Sequence, residues 1–174
     1  MLKKVKKFAP VAAAVLALAA IFLLFAPVVA FEVGDEVVSY NGWQAIFGLS
    51  ETKSGLGGEV TIEYLKFSFM NLLTLILLAV GIVLAVLSFL GKGNKFFAFI
   101  AVACFIVAGV FFFLTVAFTV AGGAYSTNIL GQELSQAEAK KGWTLGAGAI
   151  IGGILSILAG LAAATPIALK LLKK

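Results

Sequence analysis

The chain contains no histidine and no arginine, and its only cysteine is Cys104. Without an imidazole, no serine or cysteine has the usual base partner, and Cys104 stands alone inside an apolar run, so nucleophilic catalysis lacks a candidate pair. A single cysteine closes no internal disulfide and supplies no zinc-ligand set. Charged residues make up only 12% of the chain, and all thirteen cations are lysines. These lysines sit in short clusters beside apolar segments. A nucleic-acid binder would gather them on one polar face with aromatics between, so the net charge of +5 points to lipid-facing anchors instead, and no nucleic-acid partner is expected.

What is abundant is apolar surface. Apolar residues form 62% of the chain and the mean hydropathy is +1.13, against about 45–50% apolar in soluble domains. Four uncharged runs, at about 8–31, 67–90, 96–121 and 143–169, are each long enough to cross a bilayer as a helix. The expected fold is an all-α membrane protein: a four-transmembrane-helix bundle, one integral domain over residues 1–174, with a small extracellular antiparallel β-sheet in the first outer loop. Ionisable side chains inside a membrane mark ion and proton paths. None of the four runs has one, which argues against a pump, a proton-coupled transporter or an intramembrane protease.

The first run follows Lys3, Lys4, Lys6 and Lys7, and Val28-Val29-Ala30 resembles a signal-peptide cleavage site. The run is about 24 residues, longer than a 7–15-residue signal core, and is read as the first transmembrane helix. Its Ala12, Ala13, Ala14, Ala17, Ala19 and Ala20 offer a close-packing surface. Residues 32–66 turn polar. Asn41-Gly42 lies between the β-formers 37–40 and 43–47, the strongest short hairpin signal. Residues 50–58 read as a flexible loop, and 59–64 alternate polar and apolar as a half-buried strand does. A three-stranded sheet is expected, with Tyr40, Trp43 and Tyr64 near the headgroups.

The second helix holds Asn71, Thr74 and Ser88, and a basic turn Gly91–Lys95 follows. The third is crowded with phenylalanine, too many to face one neighbour, so several must face lipid. In the second polar loop, 122–142, Ser135 and Glu138 have capping-box spacing. The last helix carries a stripe of small residues, Gly142, Gly146, Ala149, Gly153, Ser156, Gly160 and Ala163, stepping by four and three along one helical face. In lipid such a stripe lets another backbone approach closely. Whether that backbone belongs to the same chain or to another subunit stays open.

Chemistry-bearing clusters are few. Glu59 and Glu63 share one face of a strand about 13 Å apart, too far to act together on one bond. Glu32, Asp35 and Glu36 lack a cation-loop pattern. No catalytic residue, metal site or cofactor is expected. Lysines of the two termini and of the 91–95 turn accompany no acid, whereas all eight acids fall in the two longer loops. The positive-inside rule then puts both termini in the cytoplasm and the protein in the cell membrane.

This layout resembles the claudin type of four-helix membrane protein: cytoplasmic termini, a longer strand-rich first outer loop, a shorter second one, and small-residue helix seams. Trp43 precedes Gly48-Leu49, as in the claudin Trp…Gly-Leu-Trp pattern, but position 50 is Ser and the loop has no cysteine pair. The resemblance implies a barrier or channel protein. The residues themselves imply a non-enzymatic membrane protein. It would work by lateral self-association, or as a scaffold or accessory subunit, through Gly146, Ala149, Gly153, Ser156, Gly160 and Ala163. Its partners would be the lipid bilayer and a second copy or another membrane protein. The alternative is an oligomeric pore or transport component lined by Asn71, Thr74, Thr115 or Thr119. A weaker third reading is a receptor-like module that binds a ligand through Tyr40, Trp43 and Phe47.

Overall fold

The computed structural model describes residues 2–33, 36–55, 58–91, 95–120, 128–129, 132–133 and 142–171. Helix α1 (Leu2–Phe22) runs through a 3-10 turn (Leu23–Phe25) into strand β1 (Pro27–Val33) and strand β2 (Glu36–Asn41). Helix α2 (Gly42–Phe47) and strands β3 (Leu49–Gly55) and β4 (Gly58–Leu65) lead to the long helices α3 (Phe69–Phe89) and α4 (Lys95–Phe113). Helix α5 (Thr115–Val120), the two-residue strands β5 (Asn128–Ile129) and β6 (Gln132–Glu133), strand β7 (Trp143–Leu145) and helix α6 (Ala147–Leu171) complete the chain. Four helical segments are long and apolar enough to cross a membrane: Lys7–Phe25, Phe69–Phe89, Phe96–Phe113 and Ala147–Leu169. Only helices and closed barrels satisfy their own backbone in hydrocarbon, and helices apolar all round suit that solvent.

The chain forms two compact units: Met1–Leu23, Leu73–Phe112 and Ile151–Lys174 in one, Leu24–Leu72 and Phe113–Ile150 in the other. The first is helical. Ala13, Ala17 and Ala20 of α1 are buried there, as are Ala101, Phe105, Ala108 and Phe112 of α4. The small stripe of α6 faces α4. At Gly109 a Cβ would lie 2.6 Å from Ile157 Cγ1 and 3.0 Å from the Gly153 carbonyl oxygen, so the two backbones touch where neither bears a side chain. Ser156 Oγ donates to the Phe105 carbonyl at 2.7 Å. The Phe105 ring lies over Gly81 of α3, and the Phe112 ring over Gly152 of α6. Phe96 and Phe99 are exposed, so the phenylalanines of α4 divide between an inner and an outer face.

The second unit carries the sheets. Strands order β2-β1-β7, all antiparallel. The register puts Val29 beside Tyr40 and Leu145, and Phe31 beside Val38 and Trp143, on one face. Ala30, Ser39 and Thr144 fall on the other, the period-2 alternation of a sheet covered on one side. Tyr40 and Trp143 of the apolar face pack with Leu49, Leu65, Val116 and Val120. Strands β3 and β4 form a separate hairpin with a register shift between Leu49 and Ser50, and β5 pairs with β6.

Several boundaries differ from those expected. The first helix stops at Phe22, because Pro27 cannot donate to a helical ladder and instead opens β1. Residues 43–47 are helix, not strand. Asn41 Oδ1 accepts from the Gln44 N–H and Gln44 Oε1 accepts from the Asn41 N–H, both at 2.9 Å, so Asn41-Gly42 begins a capped helix rather than a hairpin turn. Residues 50–55 are strand, not loop, and the sheet draws its third strand from 143–145, read before as helix. The third run breaks at Leu114. Gly142 and Gly146 precede α6, so the helical stripe proper is Ala149, Gly153, Ser156, Gly160 and Ala163. Ser135 and Glu138 lie outside the described residues.

Gly109→Leu is expected to lower thermal stability in detergent by about 1–3 kcal/mol or more, since the added side chain meets backbone. Ser156→Ala removes one interhelical hydrogen bond and should cost less, about 0.6–1.7 kcal/mol. Melting of the two purified variants beside the parent checks the order.

Candidate functional site

Three features of the sheet-bearing unit stand out: a buried polar node, an aromatic stack that ends in a small pocket, and an open sheet edge.

The node centres on Asn71. Ser68 precedes α3 and caps it, with Ser68 Oγ accepting the Asn71 N–H at 3.4 Å. The Ser68 N–H donates to the Ile46 carbonyl at 2.9 Å. Asn71 Nδ2 donates to the Ala45 carbonyl at 3.0 Å and to Thr119 Oγ1 at 3.1 Å. One amide thus joins the first turn of α3, the body of α2 and α5. Its Oδ1 is buried with no protein partner, as is Trp43 Nε1. Asn71, Thr74, Thr115 and Thr119 are all buried within the chain.

The aromatic stack begins at Phe25, the last residue of the first span. Its ring lies 5.6 Å from that of Trp43, which stacks on Phe47 at 6.1 Å with the planes 4° apart. Trp43 and Phe47 come together because α2 places them one turn apart. Tyr40 does not join them. It sits on the inner face of the sheet, its ring 6.0 Å from Trp143. Burial, with Tyr64 and Glu51 adding to it, pushes the Tyr40 phenol above its ordinary value, so Tyr40 stays protonated at neutral pH. The Tyr64 hydroxyl approaches Glu51 Oε2 at 3.5 Å.

Phe47 also walls an open cavity of about 240 Å³, together with Gly48, Leu49, Ser50, Glu63, Leu65, Lys66 and Phe67. The register shift between β3 and β4 falls here, pairing Leu49 with Leu65 but Ser50 with Glu63, a bulge that re-aims the side chains beside it. Gly48 has φ +90°, and a Cβ on it would stand 2.7 Å from the Leu65 carbonyl oxygen, so this corner admits only glycine without strain. The sequence reading left Glu63 on a solvated strand and gave Ser50 and Lys66 no role. Only the end of the polar–apolar alternation after Tyr64 hints at the bulge.

Among the described residues strand β2 pairs with β1 alone, and Val37 and Val38 are exposed, at 64% and 39%. Among the described residues no three His, Cys, Asp or Glu side chains gather as a metal site would require. The small residues Gly146, Ala149, Gly153, Ser156, Gly160 and Ala163 are all buried within the chain, and Gly146 lies against the Pro27 carbonyl. No protein-family model matches the chain, and no curated protein matches it in sequence.

Asn71→Ala should lower stability by about 1–3 kcal/mol, because the Ala45 carbonyl and Thr119 hydroxyl are left buried without their donor. A double-mutant cycle with Thr119→Val should return a coupling of about 0.5 kcal/mol or more. Additive losses would place the two groups out of contact.

Proposed function

We propose that this is a non-enzymatic multi-pass protein of the cell membrane that works by association, its sheet-bearing unit acting as a contact module on the outer face. The observation that carries the reading is the edge of β2, which no described residue pairs, with Val37 and Val38 exposed beside it. An unpaired, apolar edge strand is a template for another strand. A second copy offers the same edge, and antiparallel pairing of β2 with β2 about a two-fold axis makes a closed, self-complementary contact. The small-residue stripe of α6 is filled by α4 of the same chain, which leaves the sheet edge as the better candidate for contact between copies.

Orientation rests on charge. The lysine clusters of the termini and the 91–95 turn stay in the cytoplasm, and the acid-bearing segments face out. The claudin-like layout agrees in the order of elements, with a strand-rich first loop. The sheet that takes strands from both sides of the helical hairpin fits a contact surface built from the two outer loops.

Cysteine substitution tests the reading in native membranes. Ser39→Cys should label with a membrane-impermeant maleimide from outside and, on mild oxidation, form a disulfide-linked dimer. Paired antiparallel strands bring facing Cα atoms within disulfide range. Val37→Lys with Val38→Lys should abolish the cross-link, since charge on an edge blocks strand addition. A monomer in mild detergent with no cross-link at Ser39→Cys would overturn self-association. Labelling only after permeabilisation would overturn the orientation.

A further inference from the structure

We infer that the cavity between Phe47 and Phe67 is a headgroup site for one amine-bearing zwitterionic phospholipid of the phosphatidylethanolamine type. The residues lining it include one of each charge sign, Glu63 and Lys66, together with Ser50. Both charged residues are exposed. A phosphate takes lysine and serine donors, and a primary ammonium takes a carboxylate. One ligand bearing both groups a few bonds apart matches this pair, whereas a headgroup with a phosphate and no ammonium would leave Glu63 without a cation.

Size and depth point the same way. At about 240 Å³ the cavity falls below the roughly 300–1,000 Å³ of pockets that enclose a whole drug-sized ligand. It holds a headgroup and leaves acyl chains outside. Phe67 stands just ahead of the membrane-length helix α3, and Phe47 joins the stack that starts at Phe25, the end of the first membrane-length segment. Both rings are more than half exposed. Aromatic side chains at the ends of spans mark headgroup level, so the mouth opens where lipid tails begin. The site is independent of the β2 edge and requires only that these helices span a bilayer.

Native mass spectrometry of the full chain in mild detergent, with equimolar phosphatidylethanolamine, phosphatidylcholine and phosphatidylglycerol, tests this. The parent should retain phosphatidylethanolamine about fivefold over either competitor, the scale of one partly exposed charge contact. Glu63→Gln should erase that preference, and Lys66→Gln should reduce retention of all three lipids. Equal retention of the three by the parent, or a preference unmoved by either substitution, would overturn the site. Both positions are surface side chains, and melting curves like the parent's confirm that the variants are folded.

Discussion

The helical unit depends on one constraint: its helices hold together by approach at van der Waals range, because the only charge in the four spans is Lys7, at the very end of the first. Lipid tails are as apolar as leucine, so no hydrophobic force drives one helix onto another. Phe105 shows how the chain answers. Its ring occupies the space that glycine leaves at position 81, and its carbonyl receives the Ser156 hydroxyl. A few residues toward the C-terminus, Phe112 repeats the arrangement on Gly152. Large rings set on glycines and a backbone contact at Gly109 replace the charge pairs that a water-soluble bundle would use on its surface.

The sheet-bearing unit solves a different problem, that of ending long apolar helices cleanly. Pro27 turns the first span into β1, Ser68 caps the start of α3, and Gly146 donates its N–H to the Val28 carbonyl at 2.9 Å just before α6 begins. Each junction places a backbone polar group on a partner at the point where the helical ladder runs out. The Asn71 amide does the same for the Ala45 carbonyl. The polar side chains of these apolar segments therefore serve junctions and interhelical ties first.

How far the sequence could be read follows from the range of the forces involved. The four spans and the α6 stripe are written in composition and in a 3.6-residue period, and both are local. Asn41-Gly42 is local too, yet two outcomes share its signature. A type I′ turn needs Gly after Asn, and a helix start uses Asn as its cap. Gln44, three residues after Asn41, decides for the helix because it returns the hydrogen bond. Position 31 shows the opposite limit. Phe31 reads as the tail of an apolar run, but it pairs with Val38 and Trp143, the latter more than a hundred residues away, and no window of the sequence contains that partner. Gly81 and Gly109 were likewise silent, since a lone glycine in a span acquires meaning only from the ring or backbone set against it.

The candidate sites divide along the same line. Trp43 and Phe47 are aromatic and near a span end, which is legible, and they meet because α2 is a helix, which the strand reading concealed. Glu63 and Lys66 reach one cavity only because the β3–β4 ladder slips by a residue after Leu49 and because Gly48, at φ +90°, lets the chain pass the Leu65 carbonyl. Glu63 keeps its place on the exposed strand face, in regular register with Ser50; the slip beyond it, at Tyr64, is what takes Leu65 and Lys66 out of the alternation. The bulge is what converts two ordinary surface charges into a pair of opposite sign around one hollow. Such a pair, sited where an apolar helix begins, discriminates by the charge pattern of a headgroup and not by its net charge.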